Sequence, residues 1–249
     1  MRLTRVHVEG ALAEGARVAL AGAAAAHLRR VLRLGAGDAV TLFNGDGADY
    51  PSRITGFGRG TVEVEVTGRA AARAESPLVV TLVQGIARAE RMDLVVQKAT
   101  ELGVAALAPV ATARSVVKLD PDSRRRKLEH WRGIAIAACE QSGRARIPAI
   151  SEPRPLAEWL AESPPAGTRL LLSPGAEVSL AAAARSERAV EVLVGPEGGL
   201  EDAETRAARA AGFRACGLGP RVLRSETAAI AALAVLQAVA GDLKGDSHF

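Results

Sequence analysis

The chain has few of the residues that mark several large protein classes. Its 249 residues include two cysteines, Cys139 and Cys216, far apart and in no CxxC pattern. That spacing excludes a disulfide framework and a zinc module built on paired thiolates. Aromatic residues make up 3%, with one tyrosine and two tryptophans, so extensive stacking on nucleobases is excluded. The four histidines, His7, His27, His130 and His248, are scattered and share no metal-ligand spacing. No GxGxxG follows a strand-like run, and GxxxxGK[ST], HExxH and GxSxG are all missing. Their absence argues against Rossmann oxidoreductases, P-loop nucleotidases and zinc hydrolases. The longest apolar run, Ala228–Leu236, is far shorter than the ~20 residues a membrane span needs. The first eight residues alternate like a strand and lack the apolar core of a signal peptide. Together these absences predict a soluble, cytoplasmic protein without a metal site.

The residues that are present describe a globular chain, 48% hydrophobic and 24% charged. The length suits one large domain or two ordinary ones. Lysine is scarce, four residues against 28 arginines, and alanine is abundant at 51. A net charge of +4 permits nucleic-acid binding without requiring it.

The hydrophobic period changes along the chain. Residues 1–70 are expected to form a small β-barrel with one helix. Short segments at Val6–Val8, Arg17–Leu20, Ala39–Phe43, Arg53–Phe57 and Thr61–Val66 are separated by turn chemistry. Asn44-Gly45-Asp46-Gly47 signals a hairpin, and Thr61–Val66 alternates strictly, with one apolar and one wet face. The helix is predicted over Ala23–Leu34, with Leu28, Val31 and Leu32 as its stripe. Gly68–Ser76 lacks β-branched and aromatic residues and leads into Pro77, which marks a linker, drawn at 71–77, ahead of a second domain at 78–245. There, buried strands at Leu78–Val83, Ala105–Val110, Leu170–Leu172, Val190–Val194 and Phe213–Gly217 alternate with helices at Met92–Leu102, Ser123–Ser142, Ala203–Ala211 and Thr227–Ala240. Strands alternating with helices predict an α/β domain with a mostly parallel sheet.

Three loops follow buried strands: Ser173-Pro174-Gly175, Gly195-Pro196-Glu197-Gly198-Gly199, and Leu218 to Thr227. Ligands in open α/β sheets bind outside the carboxyl ends of strands, where all three fall. Glycines at 195, 198 and 199 let main chain approach a ligand with no Cβ in the way. Two readings stand open for this loop: a ligand cradle, or a tight strand-to-helix turn with Glu201 and Asp202 favouring the helix start. Arg124-Arg125-Arg126-Lys127 is likewise either a solvated face or a phosphate-binding run. The segment Thr227–Ala240 is apolar on nearly every side, with Gln237 as its polar exception. Its own sheet covers one side only, so the other is expected to pack against a second copy of the chain.

Val194-Gly195-Pro196-Glu197-Gly198-Gly199-Leu200 resembles the glycine-rich loop of the SPOUT methyltransferases, a superfamily of knotted S-adenosylmethionine enzymes. Leu218-Gly219-Pro220-Arg221-Val222-Leu223-Arg224-Ser225-Glu226-Thr227-Ala228 looks like a signature of one branch, the RsmE family, which methylates N3 of one uridine in bacterial 16S ribosomal RNA. Arg91-Met92-Asp93, Gln97-Lys98-Ala99-Thr100-Glu101-Leu102-Gly103, Thr112-Ala113-Arg114-Ser115-Val116 and Glu140-Gln141-Ser142-Gly143-Arg144 are similar to further motifs of that family. His27-Leu28-Arg29-Arg30-Val31-Leu32-Arg33 and Gly37-Asp38 resemble its N-terminal PUA-like module. Arg88 and Ala89 stand where the family more often has lysine and glycine.

The resemblance implies a PUA-like β-barrel followed by a SPOUT domain whose C-terminal segment is threaded into a trefoil knot. S-adenosyl-L-methionine would be held by Leu172, Ser173, Pro174, Gly195, Pro196, Glu197, Gly198, Gly199, Leu218, Gly219, Leu223, Arg224, Ser225 and Thr227. Methylating a uracil imide calls for cations facing O2 and O4 and a path for the N3 proton. Arg91 and Arg224 are the cationic candidates and Glu197 and Glu226 the carboxylates; a structural pairing of either carboxylate with an arginine is the other open reading. Arg29, Arg30, Arg91, Lys98, Arg114, Gln141 and Arg144 are the candidate RNA contacts, with 16S rRNA or the small ribosomal subunit as partner and a homodimer as the assembly. Two alternatives remain: a SPOUT enzyme acting on another RNA, and a non-catalytic RNA-binding assembly factor.

Overall fold

The computed structural model describes residues 4–72, 75–115, 120–162 and 164–243. Arg73 and Ala74 of the expected linker, Val116, residues 244–245 and His248 lie outside the described residues. The chain divides into two units: Met1–Glu75 with Cys139–Ile147, and Ser76–Ala138 with Pro148–Phe249.

The first unit carries β1 (Arg5–His7), β2 (Arg17–Leu20), α1 (Gly22–Ala26), β3 (Ala39–Phe43), β4 (Ala48–Phe57), β5 (Val62–Val66) and β6 (Ala70–Ala71). The sheet order is β1-β3-β4-β5-β2, with β6 joined to β4. β1 pairs parallel with β3, and the remaining ladders are antiparallel. β6 falls inside the segment expected as linker. The alternation at Val62–Val66 holds: Val62, Val64 and Val66 are at most 1% exposed and join Leu28, Val40, Leu42 and Ile54 in the core. The Asn44–Gly47 hairpin joins β3 to β4, with φ of +93° at Gly45 and +89° at Gly47.

The helix predicted over Ala23–Leu34 is interrupted. α1 runs into a π-helical turn at His27–Val31, where the Leu32 N–H bonds the His27 carbonyl and the Leu34 N–H that of Leu28. The extra residue in the wider turn rotates the following side chains outward. Leu28 is buried as expected, but Val31 is 65% and Leu32 38% exposed.

The second unit contains β7 (Val79–Gly85), α2 (Ala89–Glu101), β8 (Ala106–Ala111), most of α3 (Pro121–Ser142), β9 (Ala149–Ile150), β10 (Arg154–Pro155), α4 (Leu156–Glu162), β11 (Thr168–Leu172), α5 (Leu180–Ala183), β12 (Ala189–Val194), α6 (Asp202–Ala210), β13 (Arg214–Cys216) and α7 (Ser225–Val239). All its ladders are parallel, in the order β10-β8-β7-β12-β11-β13, with β9 beside β8. Leu82, Val83, Val192 and Leu193 are fully buried, as continuous apolar runs in a covered parallel sheet should be. Two strands hide a charge each. Arg169 on β11 and Glu191 on β12 are register partners and form an ion pair, 5% and 4% exposed. The Trp159 and Phe213 rings flank the guanidinium, 5.6 and 5.3 Å away.

One face of α7, with Ala229, Ala232, Leu233, Leu236 and Gln237, is buried within the chain. Gln237 is satisfied there, donating to the Leu102 carbonyl at 2.9 Å and accepting from Ser76 at 2.6 Å. The opposite face, with Thr227, Ile230, Ala231, Ala234, Val235 and Ala238, stays exposed or half-exposed. Among the described residues no helix is long and apolar enough to cross a membrane.

Candidate active site

The order β7-β12-β11-β13 brings the carboxyl ends of four parallel strands side by side, so the three loops singled out by sequence become neighbours. A cavity of about 600 Å³ opens there, a size typical of small-molecule sites. Leu172, Ser173 and Pro174 line it from the loop after β11; Gly195, Pro196, Glu197 and Gly199 from the loop after β12. Leu218, Gly219, Leu223, Arg224 and Ser225 line it from the segment between β13 and α7, and Arg91 from α2. Gly198 and Thr227 are not part of the lining. Thr205, Cys216, Arg221 and Val222 also line it and were not among the sequence candidates.

The glycine-rich loop is fastened at successive residues by different elements. Ser225 Oγ donates to the Gly195 carbonyl at 2.6 Å. The Arg88 N–H and the Arg91 guanidinium donate to Glu197 Oε1 at 3.2 and 3.0 Å. Arg114 donates to the Gly198 carbonyl at 2.8 Å. The start of α6 is fixed as well: Glu201 and Glu204 form a reciprocal capping box, and Glu204 also accepts from the Ala113 N–H at 2.8 Å. The loop is thus a fastened strand-to-helix turn that also lines the cavity. Close approach bears on two glycines, tightly at Gly195 and prohibitively at Gly85. A Cβ on Gly195 would lie 3.3 Å from the backbone of Gly199 and Leu200, and one on Gly85 only 2.5 Å from Pro196. Gly85 had no sequence signal beyond its place at a strand end.

Arg91 sits between the two candidate carboxylates, 3.0 Å from Glu197 and 3.8 Å from Glu226. Burial acts to raise the Glu197 pKa, but hydrogen bonds from its own and the Arg88 backbone and from Arg91 outweigh it and hold the carboxyl below its ordinary range. Glu226 is 8% exposed, in the first turn of α7 where the helix dipole favours it, and its Oε2 is buried without a hydrogen-bond partner among the described residues. Arg224 is exposed on the cavity wall and forms no ion pair with a described residue. Among the described residues no cluster of three or more His, Cys, Asp or Glu could hold a metal ion.

The candidate RNA contacts do not form one set. Arg29 and Arg30 are exposed on the π-helical turn, with the Arg29 guanidinium 5.8 Å from the Phe57 ring centre. Gln141 is exposed. Lys98 is paired with Glu101 at 2.9 Å, and Arg114 is spent on the glycine-rich loop. Arg144 departs from the expectation: it is 3% exposed, and its guanidinium pairs with Glu75 of the same unit at 3.0 Å. Its charge is spent on the fold.

Residues 74–237 match the model of an RNA methyltransferase domain, and residues 20–67 that of an RNA methyltransferase PUA domain. Ribosomal RNA small subunit methyltransferase E from Buchnera aphidicola subsp. Schizaphis graminum is 31% identical over 97% of this chain and 98% of its own length. The chain belongs to the ribosomal RNA small subunit methyltransferase E family. A member of that family from Neisseria gonorrhoeae, solved bound to S-adenosyl methionine, is 36% identical, with a TM-score of 0.89 over 97% of this chain and 99% of that one. A Legionella pneumophila structure with its bound cofactor SAM is 38% identical, with a TM-score of 0.90 over 97% and 100% of the two chains. The N-terminal sheet and the parallel α/β unit are thus the PUA and methyltransferase parts of the family.

Proposed function

We propose that this chain transfers a methyl group from S-adenosylmethionine to N3 of a uridine in 16S ribosomal RNA. The observation that carries the reading is the single cavity lined by all three loops after β11, β12 and β13, in a chain similar along its length to ribosomal RNA small subunit methyltransferase E.

The cavity residues fit the cofactor. Leu172, Leu218 and Leu223 offer apolar sides together with main-chain polar groups. When bound, S-adenosylmethionine supplies an electrophilic methyl group on a sulfonium centre. The protein's task is then to hold the base, balance charge on O2 and O4, and let the N3 proton leave. The Arg91 charge is already balanced by Glu197 and Glu226, so it organises the site, and Arg224, with Arg221 also on the cavity wall, is a cation available to face the uracil oxygens. Glu197, with its pKa held down, is a poor base. Glu226 is not part of the cavity lining, and its carboxylate pairs with Arg91.

RNA would be met by Arg29, Arg30 and Gln141 and by cavity-side arginines, largely through phosphates. The exposed face of α7 would be covered by a second copy, and a C-terminal trefoil knot would hold the loops together. The site of action would be the cytoplasm. Mass mapping of 16S rRNA nucleosides from a strain lacking this gene tests the target: one 3-methyluridine should be missing and should return on complementation. An unchanged 3-methyluridine content would overturn the reading.

A further inference from the structure

Gln84 is the last residue but one of β7, beside Gly85, and is fully buried. Its amide nitrogen donates twice, to the Gly85 carbonyl at 2.8 Å and to Ser225 Oγ at 3.0 Å. Its Oε1 is buried and accepts nothing among the described residues. An apolar side chain would fill the space without leaving a buried acceptor unsatisfied. What glutamine adds is two N–H donors, and both are spent next to the cavity. The amide orientation follows from the bonding, since a reversed amide would set Oε1 against the Gly85 carbonyl oxygen.

The bond to Ser225 has a directional consequence. A serine hydroxyl carries one hydrogen and accepts on its lone pairs. With Gln84 donating into Oγ, that hydrogen is left for the Gly195 carbonyl, 2.6 Å away. The ends of β7 and β12 and the start of α7 thus meet at one oxygen atom. Gly195 lines the cavity and already packs closely on Gly199 and Leu200, so a small rotation of its peptide reshapes the wall.

We propose that Gln84 is a positioning residue for the cofactor loop: it orients the Ser225 hydroxyl onto the Gly195 carbonyl and so holds the loop in its binding form. Gln84 does not itself line the cavity and acts only through Ser225 and Gly195. The inference rests on the reading of this cavity as the S-adenosylmethionine site.

Calorimetric titration of the full-length protein with S-adenosylmethionine tests it, using wild type, Gln84→Leu, Ser225→Ala and the double variant. Each single variant should weaken binding about tenfold, the scale of one lost hydrogen bond. The double variant should lose no more than either, because both substitutions cut the same chain of bonds. In steady-state assays Gln84→Leu should raise the cofactor KM about tenfold with kcat kept within about twofold, a split that general loosening of the core does not give. Gln84→Glu keeps the size but removes the donors, and should weaken binding likewise if the leucine variant fails to fold. Wild-type affinity in a folded Gln84 variant overturns the proposal, as do losses that multiply to about a hundredfold in the double variant. Absence of binding by the wild-type protein would instead bring down the cofactor reading, and this inference with it.

Discussion

Glu197 gives the site a pH dependence whose sign is fixed by its surroundings. Its carboxyl is held below the ordinary value of 4.5 because donors from the backbone and from Arg91 outweigh the effect of burial. A depressed carboxyl pKa contributes stability that is complete above the unfolded value and is lost as pH falls through the folded one. Below about pH 4.5 the melting temperature of the wild type should therefore fall more steeply than that of Glu197→Gln, and above it the two profiles should run parallel. Equal slopes in the acid range would contradict this. Arg224 and Arg91, two of the arginines lining the cavity, should also separate. Arg224→Ala should lower methyl transfer at saturating cofactor about a hundredfold, as removal of a charge-stabilising donor does, with cofactor affinity retained. Arg91→Ala leaves Glu197 and Glu226 facing each other without a counter-charge, so it should impair cofactor binding as well as turnover. A titration and a single-turnover assay on each variant check the difference.

At the scale of elements, the period of hydrophobicity carried most of the information. Apolar runs placed β7, β8, β11 and β12, and strict alternation placed β5, because burial on both faces or on one face demands those patterns. α4 and α5 were missed: seven and four residues span too few turns to display a helical period. The glycine-rich loop was legible as a candidate ligand approach only by its residue types; its fastening by Ser225, Arg91 and Arg114 was not, since those residues come from three distant segments. The Arg169–Glu191 pair was hidden for a related reason, because strand register and not sequence spacing makes them partners. Glu191→Ala would leave the Arg169 guanidinium buried without its carboxylate and should cost about 3–5 kcal/mol in chemical denaturation. A cost near zero would mean that water or another group reaches Arg169.

At the scale of the whole molecule, the two faces of α7 predict opposite outcomes for two similar substitutions. Ala232 is fully buried within the chain, so Ala232→Glu should unfold the second unit. Ala234 lies on the half-exposed apolar face, so Ala234→Glu should leave a folded monomer with methylation lost. Light scattering and circular dichroism on both variants distinguish these results, and a wild-type monomer at micromolar concentration would remove the dimer. The two units divide between Glu75 and Ser76, within the segment drawn as linker at 71–77, and the return of Cys139–Ile147 to the N-terminal unit was not legible, because nothing local marks which unit a helix end will join. The central claim, cofactor-dependent methylation of uracil N3, is tested most directly by incubating the purified protein with unmethylated small ribosomal subunits and S-adenosylmethionine, then identifying the methylated nucleoside by mass spectrometry. The account predicts 3-methyluridine at one position of the 16S rRNA; methyl groups on ribose, or none at all, would contradict it.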